Sequence, residues 1–143
     1  MDIKPLIGTV AQLRANTNPT YVTGQTTDLG TGSWYYVANG TGYTDNTGTV
    51  LKDARGGAWV RVWDGKALQV EWFGVVGDGI TDNTDSLQKA VNAAYLKILS
   101  FKKDGIYVWN KVNIPSGITI VGNNAKIVAA DNFSNGGMFN LEP

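Results

Sequence analysis

One segment of the chain reads Trp72-Phe73-Gly74-Val75-Val76-Gly77-Asp78-Gly79-Ile80-Thr81-Asp82-Asn83-Thr84-Asp85-Ser86-Leu87-Gln88-Lys89-Ala90-Val91. Its glycines favour a tight turn over 74–79, since glycine adopts backbone conformations that other residues avoid. Asp82 or Asn83 then suits the N-cap of a helix, and Asp85 stands in the first turn, where the helix dipole favours a negative charge. The segment therefore predicts a glycine-rich turn that leads into a helix.

The predicted helix is amphipathic. Its apolar positions follow the spacing i, i+3, i+4 and i+7, which gathers them on one side of a helix: Leu87, Ala90, Val91 and Ala94. The polar positions between them are expected to face solvent: Gln88, Lys89 and Asn92. We therefore expect this helix to cover a hydrophobic surface.

Very short strands are predicted on the C-terminal side of the helix. Turn sequences such as Lys103-Asp104-Gly105 and Pro115-Ser116-Gly117 separate six apolar or β-branched runs. These runs are 98–101, 106–109, 112–114, 118–121, 126–129 and 138–141. Strands of this length and spacing occur in sandwiches, in barrels and in the coils of β-solenoids, and spacing alone does not separate these folds.

The N-terminal side of the chain has the pattern of a small antiparallel β domain. Thr9 and Gln12 have the spacing of a capping box, which predicts one short helix over 9–15. Glycine-rich turns then separate short aromatic or β-branched runs, and one more strand is expected over 67–73, before the glycine-rich turn. The predicted strands of the small domain are 21–23, 33–38, 49–52 and 59–63.

The 72–91 segment resembles the motif that opens the pectate-lyase-like right-handed β-helix superfamily. That motif is a Phe-Gly-Ala-x-Gly-Asp-Gly-x-x-Asp-Asp-Thr sequence followed by an amphipathic helix with an Ile/Leu-Gln-x-Ala-Ile/Leu core. Residues 113–122 resemble the first full coil of these proteins, and residues 56–61, with Asp64-Gly65, resemble the short β domain that precedes the motif in bacteriophage tailspikes. The departures from the motif are Val75, Val76 and Asn83.

The resemblance implies a mainly β chain. It would consist of a small N-terminal β domain with a short helix, then an amphipathic capping helix, and then the first coils of a right-handed parallel β-helix. A helix in this position would cover the open end of the solenoid, which otherwise exposes unpaired strand groups and an apolar interior.

The composition excludes several classes of function. The 143 residues include 12 basic and 12 acidic residues, for a formal net charge of +0, with no histidine and no cysteine. Disulfides, thiolate nucleophiles, Cys/His zinc sites and imidazole catalysis are therefore excluded. The balanced charge gives no reason to expect binding of nucleic acid. Because the chain lacks a long apolar run, we expect neither insertion into a membrane nor a signal peptide.

No catalytic, cofactor-binding or metal-binding residue is predicted. Asp78 and Asp82 have the separation of two calcium ligands, but Ile80 and Asn83 break the EF-hand pattern, so both carboxylates are interpreted as turn-stabilising groups. The glycine spacing matches neither nucleotide-binding fingerprint. Glycoside cleavage requires two carboxyl groups at one bond, and the aspartates of this chain lie mainly in predicted turns.

Aromatic residues are candidates for packing or for binding. Core packing is the simpler interpretation, and stacking on sugar rings or anchoring a protein interface is the alternative, for Trp34, Tyr35, Tyr36, Trp59, Trp63 and Trp109. In the predicted strand 59–63, Trp59, Arg61 and Trp63 share one face, and Val60 and Val62 share the other. We expect one face to be core and the other to be a surface or subunit contact.

The resemblance divides the chain into a virion-anchoring β domain over 1–66, the motif and capping helix over 67–97, and the truncated start of a β-helix over 98–143. About two coils fit before Pro143, fewer than a solenoid needs, so a longer protein is expected. The leading hypothesis is the N-terminal region of a phage tailspike. Its later coils would recognise and depolymerise a bacterial surface polysaccharide, either capsule or O-antigen.

The tailspike hypothesis carries expectations about assembly and location. We expect a homotrimer, attached through the N-terminal domain to a phage tail or baseplate protein, located in the virion and acting at the host cell surface without a cofactor. Two other functions fit the same motif: a soluble pectate-lyase-like polysaccharide lyase or hydrolase, and a non-catalytic β-helix adhesin. Subunit number and loss of polymer viscosity would separate these three functions.

Overall fold

The computed structural model describes residues 9–17, 21–24, 26–29, 32–133 and 137–141. The chain divides into two compact units, Met1–Trp63 (unit 1) and Asp64–Pro143 (unit 2). Among the described residues, no helix is both long enough and apolar enough to cross a membrane.

The described part of unit 1 contains a four-stranded antiparallel sheet and one short helix. Helix α1 spans Val10–Arg14, and the hydroxyl of its N-cap residue Thr9 accepts a hydrogen bond from the N–H of Gln12 at 3.1 Å, which confirms the predicted helix. The strands β1 to β4 lie in the order β1-β2-β4-β3, and they are Thr26–Asp28, Ser33–Val37, Val50–Lys52 and Ala58–Arg61.

One face of this sheet holds the core of unit 1. Strand alternation places Trp34 opposite Arg61 and Tyr36 opposite Trp59, and all four side chains are buried. The core cluster comprises Leu13, Tyr21, Trp34, Tyr36, Leu51 and Trp59. On the other face, Val60 is half-buried and Ala58 is buried. The strand predicted over 59–63 ends at Arg61, so the predicted division into two faces holds for Trp59, Val60 and Arg61 and does not extend to Val62 and Trp63.

The predicted strand over 21–23 is wrong. Tyr21 is buried in the core cluster, but the backbone turns at Thr23 and Gly24 and the first strand begins at Thr26. An aromatic side chain can therefore join the core from a loop, because burial depends on where the side chain lies and requires no ladder pairing.

Unit 2 winds through three parallel sheets. The first sheet has the order β10-β7-β5, the second β11-β8-β6 and the third β12-β9, and every pairing is parallel. Their strands are β5 (Ala67–Gln69), β6 (Asp78–Asp82), β7 (Ile98–Ser100), β8 (Ile106–Trp109), β9 (Val112–Ile114), β10 (Thr119–Val121), β11 (Lys126–Ala129) and β12 (Phe139–Leu141).

Each coil of unit 2 contributes one strand to each sheet, except that the first coil has helix α2 (Thr84–Ala93) after β6. This arrangement is the start of a parallel β-helix, and it confirms the predicted fold class. All six strands predicted after residue 97 are present, with ends that differ by at most one residue. Aromatic rings pack along the interior, with Trp109 5.0 Å from Phe139 and 6.0 Å from Phe101 between ring centroids.

Two predictions around the motif need correction. The strand expected over 67–73 ends at Gln69, and Val70–Phe73 forms a 3-10 helix that ends at Gly74, whose φ is +89°. The turn expected over 74–79 contains the start of β6 at Asp78. Strand β6 pairs with β8 irregularly, with a register shift between Asp78 and Asp82. An irregular strand of this kind does not produce the regular alternation of apolar and polar residues from which strands are predicted.

Candidate functional site

The glycine-rich part of the motif forms a turn that its own aspartate stabilises. Asp78 accepts hydrogen bonds from the N–H groups of Ile80 at 2.9 Å and Thr81 at 2.8 Å, and from the Thr81 hydroxyl at 2.6 Å. Gly79 has a φ of +74°, which a side chain would make unfavourable. The turn holds Ile80 outward, with 84% of the residue exposed.

The start of α2 is built by three consecutive polar residues. Asp82 accepts hydrogen bonds from both the N–H and the hydroxyl of Thr84. Asn83, the N-cap residue, is fully buried, and its amide accepts from the N–H of Val76 at 2.8 Å and donates to the C=O groups of Val76 and Thr81. Asn83 thus ties the turn to the helix instead of capping the helix with its side chain.

Asp78 and Asp82 are held in their ionised form. Hydrogen bonds from the hydroxyl and N–H of Thr81 and from the N–H of Ile80 lower the pKa of Asp78 to about 2. The hydroxyl and N–H of Thr84 lower the pKa of Asp82 in the same way. The interpretation of both carboxylates as turn-stabilising groups agrees with these contacts.

Helix α2 buries its predicted stripe and contacts the third sheet through polar side chains. Thr84 accepts a hydrogen bond on its hydroxyl from the N–H of Asn110 at 2.9 Å. Gln88, expected to face solvent, is half-buried and makes two hydrogen bonds to the backbone of Asn113, so that expectation is wrong. The stripe is fully buried, as predicted: Leu87, Ala90, Val91 and Ala94.

A groove of about 460 Å³ lies against the outer side of the second sheet. Val108 and Val128 are register partners whose side chains alternate with the inward-facing residues of β8 and β11. The groove lining combines apolar and polar groups: Gly79, Ile80, Asp82, Val108, Val128, Ala129, Ala130, Asp131 and Asn132. A second, smaller groove shares Asp82 and Asn132 with it.

Asp82, which lines this groove, does not have the raised pKa of a general acid for glycoside cleavage. A general acid for that reaction needs a carboxyl group whose pKa is raised, whereas the pKa of Asp82 is lowered. Among the residues that the structure describes, no group of three or more acidic side chains is placed to hold a metal ion.

A further cavity of about 460 Å³ lies beside the turn after β7. The hydroxyl of Tyr107 donates to the Glu71 carboxylate at 2.5 Å and accepts from the N–H of Lys102 at 3.1 Å. Burial and the neighbouring Glu71 carboxylate raise the pKa of Tyr107 to about 12. With its hydroxyl bonded on both sides, this tyrosine ties the 3-10 helix to the turn and is not poised as a nucleophile.

The aromatic residues considered for binding lie mostly in the core. Trp34, Tyr36, Trp59 and Trp109 are fully buried, whereas Tyr35 and Trp63 are half-buried. Arg61 lies over the Trp34 ring at 4.5 Å and donates to the C=O of Gly48 at 2.6 Å, and its burial lowers its pKa to about 10. Core packing is therefore the role of the four buried rings.

Unit 1 matches a known family. The phage tail protein small four-stranded beta-sheet domain matches residues 7–64, and four strands in one antiparallel sheet are what the structure contains there. Residues 7–64 are therefore similar to this phage tail domain. The similarity agrees with the expected location of the protein in the phage tail.

Similarity to individual proteins extends the comparison. The capsule K30/K69-specific depolymerase of Klebsiella phage K64-1 is 40% identical over 52 residues, which are 36% of this chain and 7% of the relative. The solved tailspike protein of Acinetobacter baumannii phage AM24 is 27% identical with a TM-score of 0.70, over 92% of this chain and 23% of that one.

A third similar protein is the enzymatically active domain of tailspike protein 2 from bacteriophage CBA120. It is 26% identical with a TM-score of 0.61, over 85% of this chain and 22% of that chain. The chain therefore spans less than a quarter of each of these relatives. The predicted resemblance to the N-terminal portion of phage tailspikes is confirmed.

Proposed function

We propose that the chain is the N-terminal part of a homotrimeric tailspike that binds and depolymerises a bacterial surface polysaccharide. The order of the two units carries the proposal: a phage tail sheet domain in unit 1 precedes the first coils of a parallel β-helix in unit 2. The similarity to a capsule depolymerase and to a solved tailspike supports the same assignment.

We assign three roles along the chain. Residues 1–66 attach the spike to a tail or baseplate protein, residues 67–97 cap the β-helix, and residues 98–143 begin the solenoid. Substrate cleavage belongs to later coils or to subunit contacts. The lowered pKa of Asp82, in the groove on the second sheet, supports this division because it leaves that carboxylate without general-acid character.

Polymer cleavage tests the enzymatic part of the proposal. The complete gene product should be incubated with a panel of purified capsular polysaccharides that includes Klebsiella types K30 and K69, the types named for the similar depolymerase. We expect loss of viscosity, with new chain ends, for at least one polymer. Binding to a polymer without any loss of viscosity would instead identify a non-catalytic adhesin.

The subunit number tests the assembly. We expect the complete gene product to have three times its chain mass by light scattering. A mass near three times 15.4 kDa for the 143-residue chain would place a trimer contact within these residues. A monomeric complete product that still cleaves polymer would replace the spike assignment with a soluble lyase or hydrolase.

Attachment is separable from cleavage because unit 1 has its own core. Trp59→Ala in the complete gene product should abolish incorporation into phage particles that lack the spike, while polymer cleavage is retained. Val62→Ala, an exposed position in the same unit, is the matched control and should incorporate normally. Equal incorporation of both variants would contradict the anchoring role of unit 1.

A further inference from the structure

Among the described residues, the third sheet of the β-helix receives no strand from the first coil. The first two sheets begin with β5 and β6, whereas β9 pairs on one side with β12 and packs against helix α2. A strand edge without a partner leaves backbone N–H and C=O groups unpaired and open to other chains. Something other than a strand must therefore satisfy the edge of β9.

The side chain of Gln88 meets this edge. Its Oε1 accepts from the N–H of Asn113 at 2.8 Å, and its Nε2 donates to the C=O of the same residue at 2.9 Å. A neighbouring strand would likewise bond both the N–H and the C=O of one residue in β9. Nε2 also donates to Oδ1 of Asn92 at 3.0 Å, which holds the amide in this orientation.

We propose that the Gln88 amide acts as a surrogate strand that closes the edge of the third sheet and sets the register of β9 on helix α2. One further bond points the same way. The hydroxyl of Thr84, the first residue of α2, accepts from the N–H of Asn110 at 2.9 Å. Hydrogen bonds from the helix thus reach the chain at 110 and 113.

Gln88→Glu tests the pairing because its bonds depend on protonation. An ionised carboxylate accepts from the N–H of Asn113 but opposes the C=O of Asn113 and Oδ1 of Asn92. A protonated carboxyl group has one O–H, which can donate to the C=O of Asn113 and so restore the pair of bonds with that residue. Relative to wild type, Tm should fall by roughly 4–8 °C at pH 7 and recover most of that loss below the usual glutamate pKa of about 4.3.

Charged groups near position 88 also influence how the Tm of Gln88→Glu depends on pH, so the experiment needs a control. These groups are Asp85 and Lys89 on α2, Lys111 just before β9, and Glu71 on the 3-10 helix that packs against α2. The Gln88→Glu comparison is therefore repeated in an Asp85→Asn background, which removes the carboxylate one turn earlier. Gln88→Met, which has similar length and no amide, should lose the same Tm at both pH values.

Hydrogen exchange at Asn113 gives a local measurement. The Asn113 N–H should be protected in the wild-type chain and exchange roughly tenfold faster or more in Gln88→Met. An unprotected Asn113 N–H in the wild type would overturn the proposal. So would a Gln88→Glu deficit that is absent at pH 7, equal at both pH values, or abolished by Asp85→Asn.

Discussion

Unit 1 pairs four antiparallel strands around one buried cluster, whereas unit 2 stacks parallel strands of three to five residues in three sheets. In unit 1, three aromatic rings of the cluster lie within 5.9 Å of each other between centroids. In unit 2, each strand depends on the coil before and after it. Stability is therefore concentrated in one cluster in the first unit and distributed along the coils in the second.

The two units also differ in the hydrogen bonds that their buried and half-buried polar side chains make. In unit 1, Asp53 is buried and accepts hydrogen bonds from one side chain and two backbone groups, which joins the β3–β4 turn to the end of α1. In unit 2, the buried Asn83 and the half-buried Gln88 bond to backbone groups on other elements. The Asp53 side chain stabilises a turn in unit 1, whereas the Gln88 side chain takes the place of strand pairing in unit 2.

The largest expected effect is on the core of unit 1. Trp59→Ala removes a fully buried ring at the centre of the cluster and should lower the free energy of unfolding of unit 1 by about 3–5 kcal/mol. Urea unfolding measures the change, and Val62→Ala should stay within about 0.5 kcal/mol of wild type. If unit 2 were to unfold at the same lowered urea concentration, the two units would not be independent.

Removing the carboxylate of Asp53 should have the next largest effect. Asp53→Ala removes the carboxylate that accepts hydrogen bonds from the Asn16 amide and from the N–H groups of Arg55 and Gly57, at a cost of about 2–4 kcal/mol in unit 1. Asp53→Asn keeps one carbonyl acceptor and should recover part of that loss. Equal unfolding free energies for the two variants would show that the turn does not depend on these bonds.

The corresponding change in unit 2 is Asn83→Ala. It leaves the N–H and C=O of Val76 and the C=O of Thr81 without the buried amide, and should lower the free energy of unfolding of unit 2 by about 2–3 kcal/mol. Asn92→Ala, on the exposed side of the same helix, should change it by less than about 1 kcal/mol. Similar losses for the two variants would contradict the role of Asn83.

The smallest effect is the pH dependence of the motif turn. Because the folded-state pKa of Asp78 is about 2, below the usual aspartate value of about 3.9, its contribution is present above pH 4 and is lost as the pH falls toward 2. The Tm difference between wild type and Asp78→Asn should therefore shrink between pH 5 and pH 2. A constant difference across that range would show that the ionised carboxylate contributes nothing.

The elements that were predicted correctly are those specified by residues close together in the sequence. Thr9 caps α1, the apolar stripe of α2 is buried, and short β-branched runs bounded by turn residues mark the strands after residue 97. Strand β1 escaped prediction because Thr26-Thr27-Asp28 is polar and is held by backbone pairing with β2. An edge strand needs no apolar face.

The role of Gln88 could not be predicted from periodicity. Its helix position is polar, which indicates a solvent-facing side chain, and its partner Asn113 lies 25 residues further along the chain. The same limit applies to Asn83, whose amide reaches back seven residues to Val76. Contacts between a polar side chain and a distant backbone leave no pattern in the sequence around either residue.

The helix that takes the place of a strand also divides the β-helix into a part that occurs once and a part that repeats. Ala67 and its register partner Ile98 are 31 positions apart. The later register partners Ile98 and Thr119, Ile106 and Lys126, and Val112 and Phe139 are 21, 20 and 27 positions apart. Each later layer adds about 4.8 Å of height. A β-helix built in this way can change length by insertion or deletion of one later coil, of about 20 to 27 residues, with unit 1 and the first coil unaltered.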